Sequence, residues 1–115
     1  MTASKKFSHR CDIVTEDLGG GISRQILAYE PSLLMARIAF ESGSKGALHS
    51  HPHAQITHVL SGSFAVTVDG DERILGAGDS YYAVPGVMHG MECLSAGEVI
   101  DSFSPVREDF LSDEN

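Results

Sequence analysis

The chain has 115 residues, 42% of them apolar, and a formal charge of −8. That length allows one domain with its own core and a radius of gyration of roughly 13 Å. Eight basic residues scattered among sixteen acidic ones exclude the basic stripe of a nucleic-acid surface.

No run approaches the ~20 apolar residues of a membrane span. The first twenty residues hold Lys5, Lys6, Glu16 and Asp17 and no apolar run of signal-peptide length. The expectation is a soluble cytoplasmic protein with neither a nucleic-acid nor a membrane partner. Cys11 and Cys93 match no zinc spacing, and Cys93, within an apolar run, reads as a small core residue.

Helix signals are poor, because no long segment keeps a 3.6-residue apolar period free of Gly or Pro. Residues 1–18 read as an N-terminal arm. Three glycines at 19–21 precede the first clear strand, 22–29. Glu30-Pro31-Ser32 is a turn, and 33–40 a second strand, rich in apolar residues. A loop at 43–46 leads into the histidine-rich segment. Residues 55–60 and 64–68 are strands joined by a tight turn at Ser61-Gly62. Phe64, Val66 and Val68 alternate with Ala65 and Thr67, a period of two. Asp69-Gly70 is a strong hairpin signal, followed by a strand at 72–75. Turn residues at 76–79 separate it from strands at 81–84, 87–94 and 98–103. The tail at 112–115 is expected to fray. Eight or more short strands at this spacing predict one all-β unit, a single jelly-roll β-barrel over 19–111.

Two histidine motifs carry the chemistry. The first runs from Gly46 through His49, His51, Pro52, His53 and Gln55 to Gly62. The second holds Gly78, Asp79, Pro85, Gly86 and His89. His49 and His51 are two apart, so on an extended chain they share a face, with Cα atoms ~7 Å apart. Imidazoles so spaced can converge on one ion with bonds of ~2.0–2.1 Å. Gln55 shares their parity, but a straight strand would carry it ~20 Å from His49. The segment must therefore bend, most easily at Pro52, which has no N–H for the ladder. His89 must come from another strand. Three imidazoles and one carboxamide make a full ligand set for a divalent metal. His53 has the same parity and reads as a rim residue, a group behind the ligands, or a ligand in place of Gln55. His58 has the opposite parity and should face outward, and His9 lies in the arm.

At these residues the chain resembles the cupin superfamily, in which two Gly-bounded motifs line a small β-barrel. Gln55 stands where that pattern has Glu, and Pro85 abuts Gly86. A narrower resemblance lies in residues 21–25, 49–53 and 78–80 and in the segment from Asp101 to Phe110. These are similar to the pectin-degradation KdgF-type cupins. That resemblance implies an enzyme that linearises 4,5-unsaturated monouronates to 5-keto-4-deoxyuronate. It implies metal ligation by His49, His51, Gln55 and His89, and substrate handling by Asp101, Phe103 and Arg107. Ala54 and His58 depart from the family pattern. It also implies a homodimer, with the segment before Gly19 as an arm exchanged between subunits.

The residues support a site independently. Asp101 interrupts an apolar run, and a buried carboxylate is expensive unless paired. It reads either as a satisfied structural Asp or as a general acid/base beside the metal. Neutral ligands leave an ion its full charge for Lewis-acid work, so the proton carrier must lie elsewhere, with Asp101 the best candidate. Arg107 suits a bidentate grip on a uronate carboxylate, or a surface ion pair with Glu108 or Asp109. Phe103 is the best sugar platform, whereas Met91, Tyr81 and Tyr82 read as core. The partner is then a small anionic sugar, and the cofactor one divalent ion per subunit, among Zn, Ni, Fe, Mn and Co. Two other readings stand beside this one: a non-catalytic small-molecule-binding cupin, and a three-histidine iron dioxygenase.

Overall fold

The computed structural model describes residues 3–114. Its strands are β1 (Glu16–Gly19), β2 (Ile22–Glu30), β3 (Leu33–Phe40), β4 (Lys45–His49) and β5 (Ala54–Val59). They continue as β6 (Ser63–Val68), β7 (Asp71–Gly76), β8 (Ser80–Ala83), β9 (His89–Ser95) and β10 (Gly97–Ser104). Short 3-10 helices, Arg10–Asp12 and Glu108–Glu114, flank them. Among the described residues no helix is long and apolar enough to cross a membrane. Asn115 of the expected tail lies outside the described residues.

The strands form two antiparallel sheets. One has the order β1-β2-β3-β10-β5-β8, the other β4-β9-β6-β7. The all-β jelly roll is as expected, but the barrel is not closed: the sheets face each other as a sandwich. The edge strands β1 and β8 of the first sheet do not pair with the edge strands β4 and β7 of the second, so the hydrogen bonding does not run around a barrel. Strands β1 and β4 were not expected from the sequence pattern. Both are short, and each abuts glycines that read as loop.

Period-two burial builds the core. Leu34, Ala36, Ile38 and Phe40 of β3 turn inward, while Leu33 and Met35 face solvent. Phe40 meets Phe64 of the other sheet edge-on, with ring centroids 5.3 Å apart. Each such ring removed from water contributes ~1.5–3 kcal/mol. Cys93 is buried in this core as expected, and both cysteines are free. Asp69 and Gly70 take φ of 51° and 77° between β6 and β7, the pair of positive angles that a two-residue hairpin turn needs. The radius of gyration is 13.7 Å.

This architecture places the first histidine motif across the gap between sheets. His49 ends β4 in one sheet, and Gln55 lies in β5 of the other. The crossing at 50–53 contains Pro52, where the bend was expected. It is pinned by the Gly86 N–H, which donates to the His51 carbonyl at 2.8 Å. β9 brings His89 opposite His49 in register. Gly90 permits that approach: a Cβ there would lie 2.8 Å from the Gly46 carbonyl oxygen.

Candidate metal centre and its cavity

Three histidine rings converge where the two sheets meet. Candidate ligand nitrogens of His49, His51 and His89 all lie within 4.8 Å of one another. Their ring centroids are 4.5 Å (His49–His89), 4.8 Å (His51–His89) and 5.6 Å (His49–His51) apart. Each ring is oriented through Nδ1. His49 Nδ1 donates to the Ala47 carbonyl at 2.7 Å, His51 Nδ1 to that of His53 at 3.1 Å, and His89 Nδ1 to that of Val87 at 3.0 Å. A carbonyl only accepts, so Nδ1 holds the hydrogen and each neutral ring presents a lone pair at Nε2. Burial holds His51 and His89 below the usual histidine range, which favours those neutral rings.

Gln55 completes the set from the opposite sheet. Its Oε1 lies 2.9 Å from His51 Nε2 and 3.0 Å from His89 Nε2. Its Nε2 donates to Thr57 Oγ1 at 2.9 Å and to Tyr81 Oη at 3.1 Å, with Asp101 Oδ1 at 3.4 Å. Thr57 Oγ1 in turn donates to Asp101 Oδ1 at 2.6 Å. Lone pairs of an oxygen and two nitrogens therefore face one another at contact distance. Neutral acceptors so placed repel unless a cation lies among them, so this donor set fits a divalent metal. Hydrogen bonds behind the ligands fix their orientation, as such partners do in metal sites generally.

Asp101 sits between the sheets in β10. Desolvation pushes its carboxyl up to about 6, against the opposing pull of the Thr57 hydroxyl and the Arg107 charge. Burial likewise raises the Tyr81 phenol, and the charge of Asp101 adds to that. A cavity of about 260 Å³ reaches His49, Gln55, His89 and Asp101, and its wall includes Phe103 and Arg107. The five residues expected to carry metal and acid–base chemistry, together with Phe103 and Arg107, thus share one region. Arg107 makes the ion pair with Asp109 that was one of its two sequence readings. It lines the cavity, and its Nε and Nη2 donate to the two carboxylate oxygens of Asp109 at 3.0 and 2.8 Å.

Other expectations separate here. His53 lies outside the three-histidine cluster: its carbonyl holds His51, and its ring stands 5.3 Å from that of His51. His58 is on the outer face, as its parity required, sharing a 2.7 Å hydrogen bond with Ser80 Oγ. Tyr82, read as core, is 58% exposed, because its position in β8 falls on the outer parity with Ile56. Tyr81, also read as core, packs against the core as expected and accepts from the Gln55 amide. Thr57 and Arg24 were missed. Thr57 could have been found from its shared parity with Gln55, and Arg24 from standing between Ile22 and Ile26 on an apolar parity.

Comparison with known proteins agrees with this geometry. Residues 36–103 match the cupin domain family. The pectin degradation protein KdgF of Dickeya dadantii (strain 3937) is 47% identical over 98 residues, covering 84% of this chain and 89% of that protein. This chain is a cupin of the KdgF family. The solved KdgF from Halomonas sp. superposes with a TM-score of 0.89 at 36% identity, over 93% of this chain and 99% of that one. An RmlC-like cupin from Shewanella frigidimarina NCIMB 400 superposes with a TM-score of 0.94 at 44% identity, over 96% and 99% of the two chains.

Proposed function

We propose that this KdgF-family chain is a metal-dependent, non-redox enzyme that opens 4,5-unsaturated monouronates to 5-keto-4-deoxyuronate. The observation that carries the reading is the placement of Asp101. A carboxyl with a pKa of about 6 stands one hydroxyl away from the ligand amide and in the same cavity as Arg107. The substrate class comes from the family relative named for pectin degradation.

A divalent ion held by His49, His51, Gln55 and His89 would supply Lewis-acid polarisation of a bound oxygen. The remaining work belongs to the chain. Arg107 keeps Nη1 hydrogens beyond those given to Asp109, and these suit the uronate carboxylate. Phe103, with Arg107 Cζ 5.0 Å from its ring centroid, offers the sugar an apolar wall. The reaction is an isomerisation. The anomeric hydroxyl loses its proton, the bond from the anomeric carbon to the ring oxygen breaks, and an aldehyde and an enol form. A proton added to the former alkene carbon then gives the ketone. Asp101 moves protons in this sequence, since a group titrating near neutrality can both accept and return one.

The test is an anaerobic assay on unsaturated galacturonate, following loss of its conjugated ultraviolet absorbance. Metal-loaded wild type is run beside Asp101→Asn and His51→Ala. Rapid loss in wild type and slow loss in both variants is expected. Loss at the spontaneous rate in wild type, with metal bound, would remove this substrate. Turnover that required oxygen and iron would replace the reading with the dioxygenase one.

A further inference from the structure

Arg24 occupies a position where the strand pattern requires an apolar core residue. Ile22, Arg24 and Ile26 of β2 lie in register opposite Phe40, Ile38 and Ala36 of β3, all three of which are core residues. The Arg24 side chain is 12% exposed. Its Nε and Nη2 donate to the two carboxylate oxygens of Glu16 at 3.2 and 3.1 Å. Arg107 repeats the arrangement with Asp109, and its side chain is 13% exposed. Both guanidiniums lie against one ring: Arg24 Cζ is 3.9 Å and Arg107 Cζ 4.3 Å from the Phe110 centroid. Both line the cavity that reaches the metal ligands.

A buried ion pair adds little net stability, and apolar side chains of similar volume often do as well. Packing alone therefore gives no reason for a guanidinium at position 24. The fork to Glu16 uses two of the five N–H donors, so three remain. In a confined cavity those donors suit an oxygen-rich or anionic group, and hydrogen bonds from a charged donor are the strong ones.

We propose that Arg24 is a second ligand-reading residue of this cavity, working beside Arg107 on a small hydroxylated carboxylic acid. Arg107 takes one end of that acid and Arg24 its oxygen-rich remainder. The Glu16 carboxylate competes with that ligand for the Arg24 guanidinium. The inference rests on the uronate reading only for the choice of substrate.

The test compares Arg24→Met, which keeps the stem and loses the charge, with Glu16→Gln, which keeps the guanidinium and frees it. Metal content and Tm are measured for each, and KM and kcat are taken on unsaturated galacturonate. A parallel arm measures binding of saturated galacturonate to the metal-loaded proteins by calorimetry. The expected result is a KM raised about tenfold or more in Arg24→Met, with kcat within about threefold of wild type. Glu16→Gln should leave KM within about twofold or lower it. A structural ion pair would move both variants the same way, so a matched rise in KM, or no change in Arg24→Met, overturns the proposal. Should Arg24→Met not fold, Glu16→Gln decides alone: a raised KM overturns. Absence of wild-type turnover removes the uronate reading, and the binding arm then decides. Weaker galacturonate binding by Arg24→Met supports the role of Arg24; equal binding, or none in wild type, overturns it.

Discussion

At one end of the cavity three histidines meet with their Nδ1 hydrogens already given to backbone carbonyls. At the other, two arginines are held by carboxylates, one on the neighbouring strand β1 and one two residues along the chain. The orientation of the histidine rings at the metal end is set by the backbone. Ala47, His53 and Val87 each lie two residues from the ring they orient, so local chain geometry fixes the ligands. The arginine end is charged and built from separate segments: β1, β2 and the 3-10 helix after β10. The comparison teaches that the rigid end suits a task demanding one geometry, holding an ion. The end with spare donors suits a task demanding recognition.

Changes at the two ends should differ accordingly. The largest effect is expected at the metal end. His89→Ala removes a buried ligand nitrogen, and turnover should fall on the order of 10³-fold, with the metal lost from the protein by elemental analysis. Retention of one ion per chain with full turnover would break the assignment. Next is Asp101→Asn, which keeps the shape and an acceptor for Thr57 but cannot carry a proton. A fall in kcat of roughly 10²–10³-fold is expected, with metal content unchanged. A smaller effect is expected from Thr57→Val, which removes the hydroxyl linking Gln55 to Asp101 while keeping the volume. Metal affinity should drop about tenfold, read by competition with a chelating dye.

The smallest effect sharpens the same comparison through pH. In the metal-free protein, burial raises the Asp101 carboxyl from 3.8 to about 6. Between those values the native state binds more protons than the unfolded chain, so this group's contribution to stability falls as pH rises. It is fully present below the unfolded value and lost by pH 7. Asp101→Asn lacks that loss. Its unfolding free energy relative to metal-free wild type, from denaturant melts, should therefore rise between pH 4 and pH 7 by on the order of 2 kcal/mol. A flat difference across that range would show that Asp101 is not desolvated.

The metal end was legible in the sequence, and the arginine end only in fragments. His49, His51 and Gln55 lie within seven residues of one another, so parity and one bend at Pro52 suffice to bring them together. His89 follows from the second motif. The relay behind Gln55 was not legible, since Thr57, Tyr81 and Asp101 meet only when β5, β8 and β10 pair side by side. Arg24 and Phe110 are 86 residues apart in number and meet only through the sandwich. The hairpin at Asp69-Gly70 was legible because its turn chemistry is local. Closure of the sheets was not, because it depends on how the edge strands β1, β4, β7 and β8 end.

The most direct measurement is an anomalous-scattering map of crystals of the zinc-loaded protein. The account predicts one peak per chain, at ~2.0–2.2 Å from the Nε2 atoms of His49, His51 and His89 and from Gln55 Oε1. A peak bound through Nδ1, a peak that left Gln55 turned away, or zinc held elsewhere would contradict it.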